Sequence, residues 1–252
     1  MPVISDRGLS LLPNIPKYTK LRNELLNIRA DYQSDPDVYK HLRADSTGFS
    51  KINRLVYNSD LPLTQTDFEW IKEGFFTHLV RAGLVSEWKS DDRGAPHVVQ
   101  KLLEYAEGLK KGKHPEFERR LQNAVDIILL GTELTLSITV DGVDFAGQLD
   151  GLIYDYEYDS RYMELYVVDF KPNYLVGDRL TYSLLNGIPQ VSGYTLTLQE
   201  KVNIKLKSII LNAGGAIMFD PNIVLPLFNT FMSIVIENRE NPFEALAKLI
   251  RP

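Results

Sequence analysis

The sequence predicts an α/β layered domain with a helical N-terminal half and a sheet that begins near Glu133. Three observations predict it. Apolar residues recur at helical spacing through the first half, then alternate with period two from Glu133. Asp141-Gly142 stands between LTLSITV and VDFAGQLDGLIYDY, the turn chemistry of a two-residue hairpin. ELYVVDFKP is an apolar run closed by Pro172, which cannot continue a central ladder.

The elements follow in order. Pro13 and Pro16 precede TKLRNELLNIRADYQ, whose apolar residues have helical spacing. Ser46–Leu61 reads as a loop leading into the short helix FSKINRLVY. Thr66-Asp-Phe-Glu69 is a capping box that opens a helix from Asp67 to about Arg81. HVVQKLLEYAEGL is the next helix. After the basic break KKGKHPEF, with Pro115 in a first helical turn, PEFERRLQNAVDIILL reads as the last helix before the sheet. A three-strand meander follows, reaching its third strand through the polar turn YDSRY. Leu184 to about Glu200 reads as helix, IKLKSIILNAGG and AIMFD as strands, and Asn222–Pro252 as a helix packing back on the sheet. The expected division is one domain over 1–252: mainly helical over 1–130, sheet core over 131–220, C-terminal helix over 221–252.

Composition narrows the function classes. Hydrophobic residues make up 44% and charged residues 24% of 252, as in ordinary soluble proteins. The chain has no cysteine, which excludes disulfides, cysteine zinc sites and iron–sulfur clusters. It lacks a membrane-length apolar run, and MPVISDRGLSLLPNIPKYTK lacks the pattern of a signal peptide, so the expected location is cytoplasmic. The net charge of −5 argues against a broadly basic nucleic-acid coat. It leaves room for a nuclease, which gathers carboxylates at a metal site.

Five small motifs carry chemistry. Asp169 and Lys171 lie two apart on a predicted strand, so their side chains share a face. Asp150, in Gly147-x-x-Asp150, lies on the preceding strand, where cross-strand pairing brings its carboxylate near Asp169. Two carboxylates at one point repel unless a cation sits between them, and Mg²⁺ suits such oxygen ligands. A strand-end salt bridge between Asp169 and Lys171 explains that pair equally well. A second such tripeptide, Glu87-Trp-Lys89, has no apolar strand run before it. His78 follows Gly74 by four residues on one helix face; alone, such a histidine is more often a core residue than a ligand. Glu133 is either a solvated strand-start carboxylate or one that assists a metal or holds Lys171. Gln190 and Tyr194 share a helix face, as an ordinary flank or as contacts to phosphate or base. Tyr154, Tyr156, Tyr158, Tyr174 and Tyr182 read as strand tyrosines or as stacking platforms for unpaired bases.

In order, GFFTH, GQLD, DFK and QVSGY resemble the motifs of the PD-(D/E)XK nuclease superfamily, in its RecB-like exonuclease branch. The resemblance covers about Asp45 to Gly215, including the polar entry segment DSTGFSKINRL. It implies a restriction-endonuclease-like core, a mixed central sheet flanked by helices. It implies His78, Asp150, Asp169 and the backbone carbonyl of Phe170 as ligands of Mg²⁺ or Mn²⁺, and Lys171 as the catalytic lysine. Gln190 and Tyr194 would shape the site or contact DNA, and Glu133 would assist. Leucine, not the proline of the superfamily's name, precedes Asp150, as is usual for this branch. Without cysteine there is no cluster of the kind some relatives hold, and without helicase motifs any motor is a separate partner chain. The expected activity is exonuclease action on DNA ends or single strands in recombination, repair or phage DNA processing, in the cell or host cytoplasm. The alternative is a non-catalytic nucleic-acid-binding or assembly subunit on a degenerate nuclease fold.

Overall fold

The computed structural model describes residues 2–48, 74–109, 113–140, 142–155, 164–171 and 187–237. The N-terminal part comprises β1 (Val3–Ile4), α1 (Asp6–Leu11), α2 (Pro16–Ser34), α3 (Val38–Asp45) and β2 (Thr47–Gly48). Residues 74–81 are helical (α4) and precede β3 (Val85–Lys89), α5 (His97–Ala106) and α6 (His114–Gln122). Then come β4 (Ile128–Thr132), β5 (Leu134–Val140), β6 (Val143–Leu149), β7 (Gly151–Asp155) and β8 (Glu164–Phe170). The last elements are α7 (Ile188–Val202), β9 (Lys207–Asn212), β10 (Gly215–Phe219) and α8 (Pro221–Glu237). The protein is thus mixed α/β. Among the described residues no helix is long and apolar enough to cross a membrane.

A large sheet has the strand order β1-β4-β7-β8-β9-β10-β3, and a small one the order β2-β6-β5. In the large sheet β8 and β9 are parallel and the other neighbours antiparallel. A parallel pair needs a crossover, and α7 supplies it. Strand alternation then divides the core. Leu165 and Val167 of β8 face one cluster, with Leu21 and Leu25 of α2, Val191 and Leu198 of α7, and Phe228 of α8. Tyr166, Val168 and Phe170 face the other, with Leu102 of α5 and Phe117 and Leu121 of α6. The helices begin where local chemistry permits. Pro16 and Pro115 occupy first turns, where their missing N–H costs nothing. Ser5 caps α1 by accepting the Gly8 N–H at 2.9 Å. Gly8 itself must be small, because a Cβ there would lie 2.1 Å from the Leu129 carbonyl oxygen.

Several expectations are corrected. The meander is divided between two sheets, because VDFAGQLDGLIYDY is two strands, β6 and β7, with Asp150 at the break. The break falls at Asp150-Gly151, a second Asp-Gly pair like the one read as a hairpin turn at Asp141-Gly142, so a turn signal stands in the sequence there. IILL is not the end of a helix. The helix α6 stops at Gln122, and Ile128 opens β4; a short apolar run suits a buried strand as well as a helix. Glu87 and Lys89 do lie on a strand, β3, but at the sheet edge against β10. Gly147 makes no bulge and pairs in register with Leu136. The first half thus contributes strands to both sheets besides its helices. The expected hairpin is present as β5–β6, with Gly142 at φ 76° in its turn. Asp141, the capping box Thr66–Glu69, most of the Ser46–Leu61 segment, and Tyr156, Tyr158, Tyr174 and Tyr182 lie outside the described residues.

Candidate active site

Asp150 stands where the chain leaves the small sheet for the large one. The last β7–β8 pair is Gly151 with Val168, so Asp150 lies one residue beyond it, at the end of β8 that carries Asp169 and Phe170. Its Oδ2 accepts the Phe170 N–H at 2.6 Å. Lys171 Nζ lies 2.6 Å from Asp169 Oδ2 and donates to Gln190 Oε1 at 2.9 Å. Gln190 Nε2 in turn donates to the Tyr194 hydroxyl at 2.9 Å. The spacing explains the row: residues two apart on a strand and four apart on a helix each share a face. The Lys171 N–H donates to the Leu211 carbonyl of β9 at 2.8 Å, so the lysine's backbone is fixed as well.

Burial sets the electrostatics. The side chains of Asp150 and Asp169 are 10% and 3% exposed. Burial, and then the Asp169 carboxylate, push the Asp150 carboxyl well above the usual carboxylate range, against His114, the Phe170 N–H and Lys171. Burial works to lower the Lys171 ammonium, but the Asp169 carboxylate outweighs it and the net shift is upward. Lys171 is therefore held charged. Burial, followed by the Asp169 charge, raises the Tyr194 phenol, which stays protonated.

A second group approaches Asp150 from α6. His114 Nδ1 lies 3.5 Å from Asp150 Oδ1 and 3.7 Å from Glu118 Oε1. Burial opposes charge on His114, but Glu118, Asp150 and Asp169 outweigh it and raise the imidazole to about 9. Phe117, between these two residues, stacks on Phe170 with centroids 4.6 Å apart, and the His114 ring meets Phe170 edge-on at 5.5 Å. The helix is thereby anchored to the strand that carries Asp169.

The structure brings Asp150, Asp169, Phe170, Lys171, Gln190 and Tyr194 together. Among the described residues, three histidine and carboxylate ligand atoms lie within 4.8 Å of one another at His114, Glu118 and Asp150, and His78 is in no such group of three. On His78's helix, Phe75 stacks on Phe231 of α8 at 4.2 Å. Glu133, at φ 51°, joins β4 to β5, and its carbonyl accepts from Gln148 Nε2 at 3.3 Å. Its charge acts on Tyr32, which bonds Thr135 at 2.7 Å. Tyr194 and Tyr154 are 3% and 2% exposed, which closes both rings to a base. Sequence reading missed His114 and Glu118. Their signal was a histidine and a glutamate four apart at the start of a helix. Comparison of the chain with family models, curated proteins and solved structures returns no match.

Proposed function

We propose that this chain is a metal-dependent DNA nuclease on a restriction-endonuclease-like core, acting at DNA ends or on single strands. The observation that carries the proposal is the pair of buried carboxylates, Asp150 and Asp169, at one strand end beside the Lys171 ammonium. Like charges held in a dry site favour a bound cation. Oxygen donors from two aspartates, with the Phe170 carbonyl that the family resemblance adds, fit Mg²⁺ or Mn²⁺. Such an ion, when bound, polarises a phosphoryl oxygen and lowers the pKa of a water. The chain's own part is positional. Asp169 keeps Lys171 charged, Gln190 aims it, and Tyr194 holds Gln190. An ammonium so held meets charge developing on a phosphoryl group without reorganising. The antiparallel β7–β8 pair, followed by β8 parallel to β9 across α7, supports the core assignment. A helicase or recombination protein would be the natural partner of a nuclease without a motor.

End-labelled single- and double-stranded DNA, incubated with Mg²⁺, Mn²⁺ or EDTA, tests the reading. Metal-dependent cleavage by the parent and its loss in Lys171→Ala are expected, and the ladder from each labelled end reports polarity. Cleavage by Lys171→Ala at the parent's rate would sink the proposal. DNA binding without cleavage in any metal would favour a non-catalytic binding module.

A further inference from the structure

We propose that His114 and Glu118 of α6 form, with Asp150 Oδ1, a divalent-cation position of mixed nitrogen and oxygen donors, the type that takes Mn²⁺. The inference rests on the metal-dependent reading above and goes beyond it. It adds to Asp150 two ligands, His114 and Glu118, that lie in none of the four nuclease-like motifs, and it gives the histidine's role to His114 in place of His78.

Geometry comes first. The three ligand atoms lie within 4.8 Å of one another, with Nδ1 of His114 at 3.5 Å from Asp150 and 3.7 Å from Glu118. Octahedral neighbours at about 2.1 Å from an ion sit about 3.0 Å apart, so the two histidine–carboxylate distances would close by roughly half an ångström around it. One nitrogen faces both carboxylates, as a shared ligand would. Asp150 is suited to serve two neighbourhoods, because Oδ2 is held by the Phe170 N–H and Oδ1 turns to His114.

Charge comes second. Two carboxylates, Asp150 and Glu118, 10% and 14% exposed at their side chains, face the one His114 nitrogen, while Lys171 is taken by Asp169. Ionising these carboxylates in so poorly solvated a place builds up negative charge that needs a cation beside it. An imidazolium answers part of it, and a divalent ion answers more while using the same nitrogen as donor. Support comes third. Phe117 against Phe170, and Pro115 in the first turn, fix the helix that presents both side chains on one face. Ligands fixed in advance on a packed helix lose little entropy when they bind. An imidazole nitrogen selects Mn²⁺ over Mg²⁺, which prefers oxygen and its own waters.

The test reads metal binding directly, without DNA. Mn²⁺ and, separately, Mg²⁺ are titrated calorimetrically into the parent and into His114→Ala, Glu118→Gln, His78→Ala and Asp150→Asn, each checked for fold by circular dichroism. His114→Ala and Glu118→Gln should each weaken Mn²⁺ at least about tenfold and Mg²⁺ much less, with His78→Ala unchanged. Electron-spin-echo spectra of the Mn²⁺-loaded parent and of His78→Ala should both show coupling to a directly bound ¹⁴N. That readout stands even where His114→Ala fails to fold. Loss of Mn²⁺ in Asp150→Asn, with His114→Ala and Glu118→Gln within about twofold of the parent, would overturn the inference and leave the nuclease reading standing. So would loss of the nitrogen coupling in His78→Ala. Unchanged binding in Asp150→Asn, or no binding by the parent, would overturn both.

Discussion

On one face of the large sheet, α7 meets β8 through a continuous polar row: Asp169, Lys171, Gln190 and Tyr194. On the other face, α6 meets the same strand through stacked rings, with His114 and Glu118 at the margin. The first arrangement is closed, each member holding the next by a direct hydrogen bond or ion pair below 3 Å. The second is open, with charged atoms 3.5 and 3.7 Å apart, beyond a good hydrogen bond. Asp150 sits at the sheet end, with Oδ2 on the backbone N–H of Phe170 and Oδ1 towards His114. The difference suggests two tasks. The closed row fixes one ammonium, while the open group leaves room to admit something that is not protein.

Removing the aromatic anchor should separate the faces most forcefully. Phe117 is fully buried and stacks on Phe170. Phe117→Ala should cost about 3–5 kcal/mol, the transfer loss plus the cavity left behind. Urea unfolding of parent and variant checks this, with an unchanged slope. A loss below about 1 kcal/mol would show that α6 is not anchored by this stack.

Next in size is the closed row's charge. Under the nuclease proposal, Asp169→Asn keeps the shape, removes the partner of Lys171 and should lower kcat about 10²–10³-fold. Single-turnover cleavage at saturating metal checks it. A variant within about threefold of the parent would place the chemistry elsewhere, on the α6 side if anywhere in this region.

Gln190→Ala should be milder. The lysine keeps Asp169 and loses its aim, so kcat should fall roughly tenfold with KM little changed, the mark of a group that acts in the transition state alone. A rise in KM at constant kcat would instead make Gln190 a DNA contact. Restoration by Gln190→Glu but not by Gln190→Leu would sharpen the result, since only the former keeps the acceptor oxygen.

The closed row was legible in sequence because local periodicity builds it. Asp169 with Lys171, and Gln190 with Tyr194, are fixed by the strand and helix repeats, so naming the element names the face. The strands β8, β9 and β10 were legible for the same reason. The open group was not, because it is made by tertiary packing. His114 and Asp150 belong to different elements separated by a whole hairpin, and what joins them is Phe117 docking on Phe170. The division of β6 from β7 was missed although Asp150-Gly151 repeats the Asp-Gly turn signal, because the chain there passes from one sheet to the other instead of folding back as a hairpin. The edge strands β1 and β2 are two residues each, too short to carry a period.

The smallest expected effect lies at the far end of the closed row. The Tyr194 hydroxyl accepts from Gln190 Nε2 inside the core, and its ring is 3% exposed. Tyr194→Phe keeps the ring and leaves a part-buried amide N–H without that acceptor, so it should cost about 1 kcal/mol of stability. The raised phenol pKa means the hydroxyl is neutral across the working pH range, so the loss should not vary with pH between about 6 and 9. Thermal unfolding at three pH values measures this. A loss that grows towards high pH would mean that the phenol ionises in the folded protein. The row would then be open to solvent at that end, and the contrast between the two faces would weaken.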